Sequence, residues 1–164
     1  MHWVRFVILL LVAAMLQAGF VGTFAVGQNV VPDLFLIMVV FFAVYCDPYD
    51  AVIISFAVGF AADIAGSTIG PHMISFGVVG TVLSDLNRFM ALRKMSYQAV
   101  AIFLTGTLAS ILTHLLAGLQ GQQSLGGPQT SVLWGPLYSA IIGPFLFLPA
   151  AWWMRIRLFR PARY

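Results

Sequence analysis

The chain consists of six apolar runs separated by short polar breaks. Each run is bounded by proline, glycine, aspartate or basic residues, which are typical of helix ends and of the connections between helices. The pattern predicts an all-α membrane protein with six transmembrane helices, over residues 6–24, 33–46, 51–69, 72–87, 97–119 and 131–153. The second and fourth runs are short of the ~20 residues that cross a bilayer core of ~30 Å. For these two runs we expect tilting, a thinned bilayer or burial behind neighbouring helices.

The first run follows a basic start and resembles the beginning of a signal peptide. Its apolar stretch continues to about Phe24, which is long enough to cross a membrane, so we interpret it as a retained first helix. The sequence shows no linker or second domain, and we therefore treat residues 1–164 as one polytopic membrane domain.

The composition supports this interpretation. Hydrophobic residues make up 61% of the chain and charged residues 8%, and glutamate is absent, whereas a soluble domain carries roughly 25% charged residues. The single cysteine, Cys46, excludes an intrachain disulfide and a cysteine-based metal cluster. The net charge of +3 does not indicate nucleic-acid binding, because the basic residues lie at the ends of apolar runs rather than along one surface.

The positive charges indicate the topology. All eight Lys and Arg residues lie at Arg5, in the connection 88–94 or in the tail 155–163. Because Lys and Arg favour the cytoplasmic side of a membrane, we expect both termini in the cytoplasm. If Arg5 and the connection 88–94 both lie in the cytoplasm, either two or four spans separate them. Two more spans follow the connection, so the total is six, with four as the alternative. The breaks expected on the outer side are 27–32, 70–71 and 120–130.

The end of the third run places polar groups in an otherwise apolar stretch. Polar side chains are costly at membrane depth, so they need partners and often mark function. Gly59, Asp63 and Ser67 are four residues apart and share one helix face, and Gly66 and Gly70 form a small pair on a neighbouring stripe. Asp63 could hydrogen-bond hydroxyls or amides at a packed helix end, such as the start of the next helix. It could instead contact a partner or ligand, or relay protons or ions.

Two further stripes of small and polar residues lie in the last two predicted helices. They comprise Gly106, Ser110 and His114 in the fifth helix and Gly135, Ser139 and Gly143 in the sixth. Small residues allow helices to approach closely, so we expect these two helices to pack on each other. We also expect His114 to hydrogen-bond across the pair, with a relay role as the alternative.

The sequence lacks recognisable catalytic motifs. It contains no Gly-x-Ser-x-Gly with a plausible histidine partner, no His-Glu-x-x-His and no phosphate-binding glycine loop. Asp47 and Asp50 are three residues apart, but no histidine or third carboxylate adjoins them, and Asp-Pro is an ordinary turn opener. We interpret the chain as a protein that binds rather than catalyses, with no metal and no cofactor.

Two segments resemble a known family. Residues 32–36 read Pro-Asp-Leu-Phe-Leu, and residues 59–70 read Gly-Phe-Ala-Ala-Asp-Ile-Ala-Gly-Ser-Thr-Ile-Gly. In their order and spacing they are similar to the rod shape-determining protein MreD family of bacteria. The motif positions carried over from that family are Asp63, Gly66, Ser67 and Gly70, with Pro32 and Gly59 as supporting members. The motif leaves open whether these residues contact a partner or stabilise the helix bundle.

The resemblance implies a non-enzymatic membrane subunit of the bacterial cell-elongation machinery. Such a subunit lies in the inner membrane with the single-span protein MreC and, indirectly, with the actin-like MreB filament. The same assembly contains the glycosyltransferase RodA and its transpeptidase, a penicillin-binding protein. The expected role is to couple cytoplasmic filaments to peptidoglycan synthesis and so maintain rod shape.

Two surfaces for partners follow from the residues themselves. Ala14, Ala18 and Gly22 recur every four residues and form a stripe on which a partner's helix could dock. A set of cytoplasmic basic residues can contact anionic lipid headgroups, at ~1 kcal/mol per residue near the surface. This set comprises Arg88, Arg93, Lys94, Arg155 and Arg157.

An alternative function comes from a different class of protein. The substrate-binding subunits of energy-coupling-factor vitamin transporters also have about six short spans and a similar size, and MreD-like proteins are thought to resemble them in fold. They use an Ala-x-x-x-Ala stripe like that of Ala14 and Ala18 to contact their partner. The outer loops of this chain offer mainly Gln, Gly, Ser and Asn, which is weak support for a vitamin site.

Overall fold

The computed structural model describes residues 3–19, 32–66, 70–89, 95–119 and 128–154. All secondary structure in these residues is helical, in the order α1 (Trp3–Gly19), α2 (Leu34–Tyr45), α3 (Pro48–Ala65), α4 (Pro71–Phe89), α5 (Met95–Leu119) and α6 (Pro128–Met154). The prediction of an all-α chain with six helices is confirmed. The predicted continuations at 20–24 and 67–69 lie outside the described residues.

Hydrogen bonds at one end of the bundle connect the ends of odd-numbered helices to the starts of even-numbered ones. Gln17 of α1 accepts from the amide of Leu34 in α2, and Asp63 of α3 accepts from the amide of His72 in α4. We call this end of the bundle, which contains Gln17, Leu34, Asp63 and His72, the Asp63 end.

The opposite end, which we call the Arg5 end, brings together the other helix termini. Trp153 of α6 donates to the backbone carbonyl of Arg5 in α1. Asn87 of α4 donates to the carbonyl of Val44 in α2, and Gln98 of α5 donates to the α2 residue Tyr45. Successive helices therefore run in opposite directions.

Helix α2 is the centre of the bundle. It packs against each of the other five helices, and every residue from Phe35 to Val44 is buried. A helix that is apolar all round has no polar face to expose, so it is stable inside the protein rather than at its surface. With twelve residues, α2 is about 18 Å long. Of the three expectations for this short run, burial behind neighbouring helices describes what is observed.

Helices α3 and α4 form an antiparallel pair whose backbones approach closely. A β-carbon at Gly59 would lie 2.6 Å from Met73 Cα and 2.7 Å from the carbonyl oxygen of His72. Further along, Gly77 of α4 faces the ring of Phe56. A side chain at Gly59 would displace the facing backbone, whereas one at Gly77 would displace the Phe56 ring, so the close approach depends mainly on Gly59.

Helices α5 and α6 also pack on each other, as the small-residue stripes predict. Gly106 faces Pro136, whose Cβ would lie 2.8 Å from an added β-carbon, and Gly143 faces the side chain of Ile102. Gly135 faces open space instead, and the Ser139 hydroxyl accepts from the amide of Asp33, the N-cap of α2. The stripes therefore account for the pairing of the two helices but not for every residue in them.

Among the described residues, three helices are long and apolar enough to cross a membrane by length and composition, Pro48–Ala65, Tyr97–Leu119 and Trp134–Met154. Trp3–Gly19 and Leu34–Tyr45 are shorter apolar helices, and α4 is less apolar than the others. Large apolar side chains such as Leu104 and Phe145 point outward from the bundle. These features are those of a protein embedded in lipid, while six complete crossings stay a prediction.

Candidate functional site

The carboxylate of Asp63 joins the last turn of α3 to the first turn of α4. Its Oδ2 accepts from the amides of Gly70 at 3.0 Å and Met73 at 2.9 Å. Its Oδ1 accepts from the amide of His72 at 3.0 Å and lies 3.0 Å from Nδ1 of the same residue. The first amides of a helix have no partner within that helix, so an acceptor from outside stabilises the helix start. The partial positive charge at a helix N-terminus also favours a carboxylate there.

The local sequence explains how Asp63 reaches these amides. Helix α3 ends at Ala65, and its C-cap Gly66 donates from its amide to the carbonyl of Ala62 at 2.9 Å. Gly70 adopts a φ of 105°, a conformation that side chains disfavour. Pro71 then begins α4 with a φ suited to a first helical position and with no amide to satisfy. The chain therefore reverses direction between α3 and α4, and the N-terminus of α4 lies at the Asp63 carboxylate.

Gly59 and Asp63 act on the same helix start. Gly59 lies one turn before Asp63 and contacts the backbone of His72 and Met73, the two residues whose amides donate to Asp63. The structure therefore brings together Gly59, Asp63 and Gly70 from the predicted motif. Gly66 lies exposed at the end of α3, and Ser67 lies outside the described residues. Asp63 therefore hydrogen-bonds backbone amides at the start of the next helix, which is one of the roles that the sequence left open for it.

A second polar cluster holds the start of α2. Asp33 is the N-cap, and its Oδ1 accepts from the amides of Phe35 at 3.0 Å and Leu36 at 3.1 Å. The amide of Asp33 itself donates to Oγ of Ser139 at 2.9 Å. The central helix is thus tied to α6 as well as capped by its own preceding residue.

Gln17 connects the same helix start to α1. Its Oε1 accepts from the amide of Leu34 at 3.0 Å, and its Nε2 donates to the carbonyl of Pro32 at 3.4 Å. Pro32 is buried, so its carbonyl needs such a donor. Sequence reasoning did not single out Gln17 or Asp33. The sequence signals for these residues were an amide side chain within the first apolar run and an aspartate directly before the second apolar run.

A cavity of about 220 Å³ lies between the two clusters at the Asp63 end. Its polar lining consists of Gln17, Asp33, His72, Ser110, Thr113 and His114. His72 lies between the clusters, because its Nδ1 lies 3.0 Å from Oδ1 of Asp63 and its side chain lines the cavity together with Asp33. The ring also packs edge-on against Phe76, at a centroid distance of 5.9 Å.

Among the described residues, the hydrogen bond that His114 forms lies within its own helix. Its Nδ1 lies 2.8 Å from the carbonyl oxygen of Ser110, one turn earlier in the same helix. Because a carbonyl oxygen can only accept, Nδ1 is the nitrogen that carries the proton. This nitrogen is satisfied within α5, and the expected bond across the helix pair stays a prediction for Nε2.

The cavity is not arranged as a metal centre. Among the residues that the structure describes, no group of three or more His, Cys, Asp or Glu side chains is placed to hold a metal ion. The polar groups of the two clusters bond mainly to backbone amides and carbonyls. Their observed role is to fix the starts of α2 and α4 relative to the neighbouring helices.

The predicted partner surfaces are described only in part. Ala14 is half-buried against the core and Ala18 is exposed, while Gly22 lies outside the described residues. Of the basic set, Arg88 belongs to α4. The other four members, Arg93, Lys94, Arg155 and Arg157, lie outside the described residues.

Comparison with known proteins identifies a family for the chain. The family model described as rod shape-determining protein MreD matches residues 1–156 of the 164-residue chain. No curated protein and no solved structure matches the chain at a comparable level. The expected likeness to the substrate-binding subunits of energy-coupling-factor transporters therefore has no support, and neither does the alternative function based on it.

Proposed function

The chain belongs to the rod shape-determining protein MreD family, and from this premise we propose that it is a non-enzymatic scaffold of the bacterial cell-elongation complex. The family is a structural component of the MreBCD system, which determines cell shape. The observation that carries the proposal is the family match over nearly the whole chain. Within the complex, the scaffold links MreC, and MreB indirectly, to peptidoglycan synthesis by RodA and its penicillin-binding transpeptidase.

The geometry at the Asp63 end supports a scaffold rather than a reactive centre. The Asp63 side chain is 2% exposed and accepts from three backbone amides of the next helix turn. A buried carboxylate with this many donors is held in place and stabilises the connection it bridges. The result is a rigid helix pair that can present a constant outer surface to partners.

The proposed topology has six spans, with both termini on the cytoplasmic side of the inner membrane. The alternating helix directions support it, because an antiparallel bundle of six helices places both chain ends on one side. The Arg5 end is then cytoplasmic, in agreement with the positive charges. The Asp63 end faces outward, toward the compartment where the cell wall is built.

Two proposed contact surfaces accompany this role. The stripe of Ala14, Ala18 and Gly22 receives a helix of a membrane partner, with MreC as the first candidate. The basic residues around 88–94 and in the tail contact anionic lipids at the cytoplasmic surface. In situ crosslinking from a photoreactive residue at Ala18 tests the first surface, with exposed Leu104 on α5 as the matched control position.

Depletion in the native organism tests the function. Cells that lose the protein should change from rods to spheres, and re-expression of the wild-type chain should restore rods. Partner recovery is measured in the same cells by affinity purification of MreC. Unchanged rod shape after verified depletion would contradict the proposal.

A further inference from the structure

An apolar groove runs between α1 and α6, with α2 as its floor. Its volume is about 370 Å³, and all of its lining residues are hydrophobic or aromatic. Helix α1 contributes Ile8 and Val12, α2 contributes Phe41, and α6 contributes Ala150 and Trp153. The groove therefore offers a continuous hydrocarbon surface on the outside of the bundle.

The size and lining of the groove indicate what can fill it. Apolar cavities exclude water but accept apolar ligands, and small-molecule sites have volumes of ~300–1,000 Å³. The groove has the volume of a site for a small apolar ligand, and every residue that lines it is apolar or aromatic. In a membrane, the hydrocarbon of suitable width is a lipid acyl chain.

Arg5 lies at one end of this groove. It precedes Ile8 and Leu9 by three and four residues, so it shares the α1 face that lines the groove. Trp153, which also lines the groove, donates from Nε1 to the carbonyl oxygen of Arg5 at 3.3 Å. The hydrocarbon surface therefore ends beside the backbone of a basic residue.

The guanidinium of Arg5 lacks an anionic partner within the described chain. Arg5 is half-buried, and its Nη1 is enclosed with no hydrogen-bond partner among the described residues. The chain has no glutamate, and all five aspartates are described residues. Among these described groups, no ion pair between an aspartate and Arg5 is formed. A half-buried guanidinium with an enclosed, unsatisfied nitrogen is costly, so an anion from outside the chain would stabilise it.

We infer that the groove binds one acyl chain of an anionic phospholipid whose phosphate contacts Arg5. Arginine pairs well with phosphate because its planar fork can donate two parallel hydrogen bonds. Trp152 and Trp153 line the same part of the groove, and tryptophan favours the level of the lipid headgroups. The lipid then seals α1, which has only two buried residues, Phe6 and Ala13, against α6. This inference needs only a membrane and does not depend on the role in elongation.

Native mass spectrometry of the full-length protein tests the inference. The protein is released from micelles that contain phosphatidylglycerol or phosphatidylcholine with identical acyl chains. Arg5→Gln should lower phosphatidylglycerol retention about fivefold, because one basic residue near an anionic surface is worth roughly that factor. Arg5→Lys should keep most of the retention. Arg88→Gln, which removes a basic residue of α4, is the matched control.

A groove-filling variant tests the hydrocarbon contact separately. Ala150→Phe should lower the retention of both lipids, whereas Val78→Phe on the exposed face of α4 should leave it unchanged. Melting temperatures of all variants without added lipid establish that they are folded. If Ala150→Phe does not fold, Ala150→Leu takes its place.

Photolabelling of the wild-type protein gives a result that needs no variant. Phosphatidylglycerol with a diazirine in its acyl chain should label peptides of α1 and α6 in preference to α5. Labelling that follows the exposed area of each helix would overturn the inference. Equal retention of phosphatidylglycerol by the wild type and Arg5→Gln would also overturn it. The same holds if a crosslinker placed at Ile8 captures the helix of a partner protein instead of lipid.

Discussion

Asp63 occupies a position where an isolated carboxylate would be strongly unfavourable, since it is buried in an apolar bundle. The start of α4 removes that difficulty by supplying amides that have no partner in their own helix. The same contact satisfies both sides, the carboxylate and the helix terminus. A residue typical of active sites here serves as a cap contributed by the preceding helix.

Removal of the Asp63 carboxylate should therefore destabilise the bundle. For Asp63→Ala we expect a loss on the order of 2 kcal/mol in the free energy of unfolding, the upper range for a lost helix cap. The measurement is thermal or denaturant unfolding in detergent, followed by tryptophan fluorescence. Asp85→Ala, at an exposed position in α4, is the control. Equal stability of the two variants would show that the cap contributes little.

The two glycines of the motif should differ in their tolerance of a side chain. Gly70 has a φ of 105°, and an alanine there should cost roughly 1–2 kcal/mol because of the left-handed conformation. Gly66 has a φ of −85° and is exposed, so Gly66→Ala should change stability little. Unfolding of both variants in the same detergent gives the comparison. A larger loss for Gly66→Ala would contradict the backbone argument.

At the scale of elements, the pairing of α3 and α4 depends on close backbone contact as well as on the cap. Gly59 stands against the first turn of α4, where the amides donate to Asp63. A shift of α4 away from Gly59 would lengthen these hydrogen bonds. The glycine and the aspartate therefore stabilise one junction through packing and hydrogen bonding together.

Substitution of Gly59 should separate the two helices. Gly59→Ala places a methyl group 2.6 Å from Met73 Cα, and overpacking of this kind costs roughly 1–3 kcal/mol. Gly118→Ala meets nothing within 4 Å, so it should be neutral or stabilising by up to ~1 kcal/mol through helix propensity. The melting temperature of Gly59→Ala should thus fall, while that of Gly118→Ala should stay the same or rise. A higher melting temperature for Gly59→Ala would mean that α4 can shift to accommodate the methyl group without a loss of stability.

At the scale of the whole molecule, α2 determines how the other helices are arranged. It is enclosed by all five, and its two ends are tied by Asp33 to Ser139 and by Tyr45 to Gln98. The remaining helices form a layer around it whose outer apolar side chains face lipid. This arrangement allows a helix shorter than the bilayer core to lie at the centre of a membrane protein.

Reporter fusions test the proposed orientation of the molecule. A fluorescent protein fused after Asp50 should fluoresce, because that position is expected in the cytoplasm. Alkaline phosphatase fused after Pro71 should be active, because that position is expected outside. The reciprocal fusions, with the reporters exchanged, serve as controls and should be inactive. Cytoplasmic readout from both positions would reject six spans and favour four.

The sequence by itself determined the helical class, the position of the six helices and the family. These properties depend on local patterns, which are apolar runs and helix breakers such as Gly70-Pro71. Helices α2, α4, α5 and α6 begin and end within three residues of the predicted bounds. A helix boundary is set by neighbours along the chain, so one sequence is enough to find it.

Only the tertiary structure decided which helix lies at the centre and which polar groups meet. Nearly every helix here is apolar on several faces, so hydrophobic periodicity does not tell an enclosed face from a lipid-facing one. Gln17 bonds the start of α2, and His114 turns to its own helix. Arg5 comes to the end of a groove built from three helices. Such contacts arise from the packing of helices distant in sequence, and no local pattern encodes them.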